Sequence, residues 1–183
     1  MSGVRTSLIL LAAFLAVFAE ASFSGLRNLL GAQIDLLPAL MVCASLGSDI
    51  VTVTLLAVLG GLWFDTLSAN PLGISILPLF LVGFLIYPRR SLILREQAYA
   101  RFVLGAGASA LAPLLTMLML LSTRQPLNLG WGTLWQWFVV SLGGGLLTPV
   151  CCWAIDGLHR ALTYRPVGET SFRADREIRR GRN

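Results

Sequence analysis

The stretch FVLGAGASALAPLLTMLMLL, residues 102–121, holds twenty residues and no charge. A helix needs about 20 apolar residues to cross a hydrocarbon core of ~30 Å, so this run is long enough and apolar enough to span a bilayer. The rest of the chain agrees. Of 183 residues, 56% are hydrophobic and 13% charged, and the mean hydropathy is +0.76. A soluble domain carries roughly 25% charged residues. The fold class that follows is an all-α integral membrane protein, a polytopic helical bundle.

Working outward from that run, six apolar segments emerge, at about 7–22, 34–46, 50–67, 72–87, 102–121 and 131–155. They predict a bundle of about six transmembrane helices over residues 1–164 and an arginine-rich cytoplasmic tail over 165–183. The second segment is irregular: it is short, begins with Asp35 and carries Pro38 near its middle. It is expected to be tilted, broken, re-entrant, or extended backward through Leu29 and Leu30. Irregular backbone at that depth must be covered by protein or face a cavity. The first segment imitates a secretory signal, with Arg5, the apolar run 8–18 and Ala19-Glu20-Ala21. The glutamate inside that motif, and the spans that follow, favour a retained helix.

All 14 basic residues are arginines, and the net charge is +5. They concentrate between Arg89 and Arg101 and from Arg160 onward, a pattern that suits the cytoplasmic face of a membrane rather than a nucleic-acid groove. Six spans with a cytoplasmic N-terminus place twelve arginines inside and leave Arg27 and Arg124 outside. Five spans with an external N-terminus exchange Arg5 for Arg27 and give the same count, so both topologies stay open. Both put the Asp65–Gly73 turn outside. The tail favours anionic lipid headgroups at that cytoplasmic face, by ~1 kcal/mol per arginine held near the surface.

Intramembrane acids are candidate sites because an unpaired charge there is costly. Glu20, Asp35, Asp49, Asp65 and Asp156 all lie near segment ends, where water or headgroups are within reach. Asp49 reads as an N-cap for the third segment. Glu20 and Asp35, with Arg27, form a possible outer polar cluster near Asp65, whereas Asp156 falls at the opposite face. His159, beside Arg160, reads as interfacial. Gly105 and Ser109 in the fifth segment, with Ser141 and Gly145 in the sixth, have the four-residue spacing of a close helix-packing face. Pro113 and Pro149 are expected to kink those helices. Cys43, Cys151 and Cys152 lack metal-ligand spacing and read as small hydrophobes. No phosphate loop, nucleophile elbow or HExxH motif is present, and neither a metal, a cofactor nor an enzymatic activity is expected.

One block is more specific. Residues 60–90, GGLWFDTLSANPLGISILPLFLVGFLIYPRR, resemble the rod shape-determining MreD family. That family carries a glycine-rich helix ending in aspartate, then a short turn in which Pro-Leu-Gly opens the next helix. The matching positions are Gly61, Asp65, Pro71, Leu72 and Gly73, and IDLLPALMVCASLGSD (residues 34–49) is similar to the family's short second segment. The resemblance implies a non-catalytic inner-membrane scaffold of the cell-elongation machinery. Its partner would be an MreC-like membrane protein, linked indirectly to MreB and to the RodA–transpeptidase peptidoglycan synthase. It also implies a bundle similar to the S-components of energy-coupling-factor transporters. The alternative function is therefore the substrate-binding membrane component of a vitamin-type transporter, with a pocket near Asp35, Asp65 and Arg27.

Overall fold

The structure, a computed structural model, describes residues 2–22, 35–68, 71–90, 97–122 and 131–163. Among these residues there are six helices and no strand. They are α1 (Ser2–Ser22), α2 (Leu37–Gly47), α3 (Ile50–Leu67), α4 (Ile76–Ile86), α5 (Ala98–Ser122) and α6 (Trp131–Thr163). A 3-10 turn, Tyr87–Arg89, prolongs α4. Helices α1, α3, α5 and α6 are long and apolar enough to cross a membrane. Residues 164–183, which include the expected tail, lie outside the described residues, as do Arg27, Leu29, Leu30 and Arg124.

The irregular second segment resolves into the centre of the molecule. Helix α2 is regular and only 11 residues long, about 16 Å at 1.5 Å per residue, roughly half of a ~30 Å hydrocarbon core. Every residue from Leu37 to Leu46 is buried, and α2 touches each of the other five helices. Pro38 does not break it, because it falls in the first turn, where no N–H donor is needed. A helix that is apolar all round must be enclosed, and this one is.

The surrounding helices approach α2 closely where they lack side chains. A five-residue π-helical turn, Leu56–Gly60, interrupts α3, and a Cβ on Gly60 would come within 3.1 Å of the Leu37 side chain. On α4, a Cβ on Gly83 would lie 2.7 Å from Val53 and 3.1 Å from the Met41 sulfur. Helices α5 and α6 form the tightest pair. A Cβ on Gly105 would overlap Thr148 and stand 2.9 Å from the Gly144 carbonyl, and one on Gly144 would overlap Ser109. Gly145 packs on Ala106 and Phe102, and the Ser141 hydroxyl donates to the Ala106 carbonyl at 3.1 Å. In an apolar solvent such close backbone packing replaces the missing hydrophobic drive.

Several expectations change. The cysteines are not three equivalent small hydrophobes: Cys43 of α2 and Cys152 of α6 form a disulfide, with sulfurs 2.05 Å apart, across 109 residues, and Cys151 is free. Spacing could not reveal this, because the pairing follows from α2 lying against α6. Asp49 does precede α3, but its side chain makes no capping hydrogen bond. Helix α4 starts at Ile76 rather than at Leu72, and α6 continues past Ile155 to Thr163.

The outer surface carries many large hydrophobics. Leu15, Phe18, Val51, Phe84, Leu118, Phe138, Leu146 and Val150 are all exposed large hydrophobics. Patches above a few hundred Å² are rare on soluble monomers.

The disulfide makes a direct prediction. Protein denatured without reductant should alkylate one thiol, at Cys151, and three after reduction. Three alkylated thiols before reduction would mean that α2 and α6 are not joined as described.

Candidate functional site

The helices alternate in direction, so the polar residues collect at two ends. One end holds Glu20, Asp35, Asp65 and Ser75, and the other holds Arg5, Gly47, Arg90, Arg101 and Asp156. The first end carries the block that motivated the functional reading.

Asp65 occupies the last turn of α3 and is 2% exposed. Its carboxylate is fully engaged by the connection to α4. Oδ2 accepts from the Gly73 amide at 2.8 Å and from the Ser75 amide at 3.2 Å, while the Ser75 hydroxyl donates to Oδ1. Gly73 has φ +91°, in the left-handed region that glycine adopts without penalty, and a Cβ there would meet nothing within 4 Å. Its value is therefore conformational: it turns the chain so that its amide faces the carboxylate. Close approach falls instead to Gly61, one helical turn before Asp65. A Cβ on Gly61 would stand 3.0 Å from the backbone of Ile76. Gly61 and Asp65 thus share one face of α3, the first letting the start of α4 in and the second bonding it.

This corner differs from the expectation in three ways. Asp65 is buried rather than at a water-exposed helix end, although it does hydrogen-bond the turn. Pro71 and Leu72 lie in the turn before α4 instead of opening the helix, and both are exposed. Ser75, which sequence reading passed over, is the main partner. Its signal was available, since a serine directly before an apolar run is a common helix start.

Glu20 and Asp35 do come together at this end. The Leu36 amide, an orphan donor at the start of α2, donates to Oε1 of Glu20. Oε2 of Glu20 is buried without a partner among the described residues. Asp35 lines a crevice of about 230 Å³ with Leu37, Phe64, Ser75, Pro113 and Met117. Arg27, the third expected member, lies outside the described residues.

At the opposite end Asp156 accepts from Nη2 of Arg5 at 2.8 Å and from Nη2 of Arg101 at 3.4 Å. Arg90 donates to the Ser48 carbonyl at 2.8 Å and stacks 4.3 Å above the Tyr87 ring. Gly47, the last residue of α2, makes room for Arg5, since a Cβ there would overlap the guanidinium. The N-terminus of α1 shares an end with Arg101 and Arg160, as six alternating elements require. Sequence reading singled out Asp156 but missed its partners, which lie 151 and 55 residues away. Among the described residues no group of three or more His, Cys, Asp or Glu could hold a metal.

Comparison with protein-family models, curated proteins and solved structures found no match for the chain.

The Asp65 corner predicts a graded loss of stability in detergent unfolding. Asp65→Asn removes a charge-assisted acceptor, for a cost of about 1.5–3 kcal/mol. Gly73→Ala forces a side chain into the left-handed region, at about 1–2 kcal/mol. Wild-type stability in Asp65→Asn would refute a structural role for the carboxylate.

Proposed function

We propose that the chain is a non-catalytic, multi-pass inner-membrane scaffold of the bacterial cell-elongation machinery. In this reading it binds an MreC-like membrane protein and supports rod shape and lateral peptidoglycan synthesis through it. The observation that carries the reading is the 60–90 block. Its MreD-like positions have a coherent physical task as a helix corner, with Gly61 admitting the backbone of α4 and Asp65 bonding it. Asp65, the Gly73 and Ser75 amides and the Ser75 hydroxyl satisfy one another, which leaves the apolar exterior of the helices as the surface that meets other proteins.

Orientation follows from charge. Arg5, Arg90, Arg101 and Arg160 gather at one end, and positively charged ends face the cytoplasm. In this reading the Asp65 corner faces outside and the arginine-rich C-terminal tail is cytoplasmic.

The transporter reading has one feature in its favour, the crevice beside Asp35. Its volume of about 230 Å³ falls below the ~300–1,000 Å³ typical of small-molecule sites. A vitamin-sized solute would need α2 and α5 to separate, so the scaffold reading is preferred.

In a rod-shaped host that depends on this chain, depletion should produce round cells, and a tagged copy should co-purify with the MreC-like protein. Rods of normal shape, with no MreC-like protein recovered, would sink the proposal.

A further inference from the structure

The Cys43–Cys152 bond lies one helical turn inside a polar layer. Cys43 precedes Gly47 on α2 by four residues, and Cys152 precedes Asp156 on α6 by the same spacing. Residues four apart share a helix face, and both helices run toward the Arg5 end. The sulfurs therefore sit about 6 Å deeper than the layer of Arg5, Gly47 and Asp156, at 1.5 Å per residue. We propose that this bond is a redox-controlled clasp between α2 and α6, opened and closed by a small thiol that enters from the Arg5 end.

Three observations carry it. First, a route leads to the sulfurs. Cys43 and Cys152, each 4% exposed, line a cavity of about 200 Å³ with Leu46, Gly47 and Ile155. Arg5, Arg101 and Asp156 line that cavity too, and they also line the outer concavity of about 550 Å³, beside Trp153, His159 and Arg160. These three shared side chains form the partition between the bond and the outside. Second, the partition is made of side chains rather than backbone. Asp156 holds Arg5 at 2.8 Å and Arg101 at 3.4 Å, and all three side chains are partly exposed. Ion pairs within reach of water are weakly held, so side-chain rotation opens the partition without moving a helix. Third, the compartment supplies the reductant. In the orientation proposed above the Arg5 end faces the cytoplasm, where thiols are kept reduced. The clasp is then open at rest and closes under oxidising conditions. This step rests on the proposed orientation and not on the scaffold role.

Opening consumes two small thiols of the glutathione class. The first attacks one sulfur of the bond as a thiolate, forms a mixed disulfide and releases the other cysteine, which takes up the proton. The second attacks the mixed disulfide, frees the remaining cysteine and departs joined to the first as a small-molecule disulfide. Two electrons pass from the thiols to the protein, and closing reverses both steps. Opening leaves α2 enclosed but unfastened from α6.

The test uses full-length Cys151→Ser protein in neutral detergent, first closed with oxidised glutathione. Samples are acid-quenched, denatured and labelled with a maleimide, so that the label counts free thiols. Reduced glutathione, added without denaturant, should raise the count from none to two and lower the melting midpoint by about 10 °C. Oxidised glutathione should restore both values. Cys43→Ala in the same background should melt at the lower midpoint with or without reduced glutathione. Arg5→Gln, which thins the partition, should speed opening several-fold. In cells, the same labelling should find both thiols free before treatment and paired after diamide. Opening that needs denaturant would overturn the proposal, as would an unchanged midpoint or a rate indifferent to Arg5→Gln. A bond already closed in untreated cells would overturn it too, and opening of the same protein in detergent would then trace the failure to the orientation.

Discussion

The structure depends on enclosing α2. An 11-residue helix cannot present its ends to water on both sides of a ~30 Å core, so its terminal backbone groups must be satisfied from within the protein. Glu20 of α1 does this at one end, and Arg90 does it at the other by donating to the Ser48 carbonyl at 2.8 Å. Near the C-terminus of α1, Glu20 accepts the Leu36 amide at the start of α2. Arg5, near the N-terminus of α1, lies over Gly47 at the other end, where the unpaired carbonyls of a helix favour a cation. Two charged residues of one helix therefore bracket the ends of another. The remaining helices close around the sides, and the Cys43–Cys152 disulfide ties α2 to α6.

The same economy governs the other charged residues in the described bundle. A charge at a helix centre costs about 2.5–3.5 kcal/mol on insertion scales, and an unpaired buried carboxylate costs more. Asp65 and Asp156 avoid that penalty in different ways. Asp65 collects two amides and a hydroxyl from its own connection, giving a corner that holds α3 and α4 together. Asp156 takes two guanidiniums from α1 and α5 and so ties three helices at one end. The first arrangement satisfies its carboxylate with neutral donors and leaves little to bind a ligand. The second sets its carboxylate against two guanidiniums beside a concavity of about 550 Å³.

Much of this was legible from sequence, for physical reasons that differ by element. Apolar runs such as 102–121 report their solvent directly, so the helices and their approximate bounds could be read. The Gly105, Ser109, Ser141 and Gly145 spacing pointed to the α5–α6 contact, although Gly144 and Thr148, which make its closest approach, were not singled out. What escaped reading depends on tertiary neighbours. Pro38 suggested a broken segment, but its first-turn position is harmless once the helix start is fixed. Cys43 met Cys152 only because α2 is central. Gly73 stood out as a position of the family block, and its backbone angle revealed its task. Arg5 carried no local sign of its partners, since Asp156 and Gly47 are brought to it by the fold.

If α2 is the enclosed centre, the lipid-facing surface consists of the other helices. Photolabelling by a diazirine-bearing phospholipid in reconstituted membranes, with the adducts mapped by mass spectrometry, tests this without altering the protein. Adducts should fall on exposed positions of α1, α4, α5 and α6, such as Phe18, Phe84, Leu118 and Leu146, and the 37–46 stretch should carry none. Labelling of that stretch at a density similar to α6 would place α2 against lipid and contradict the account.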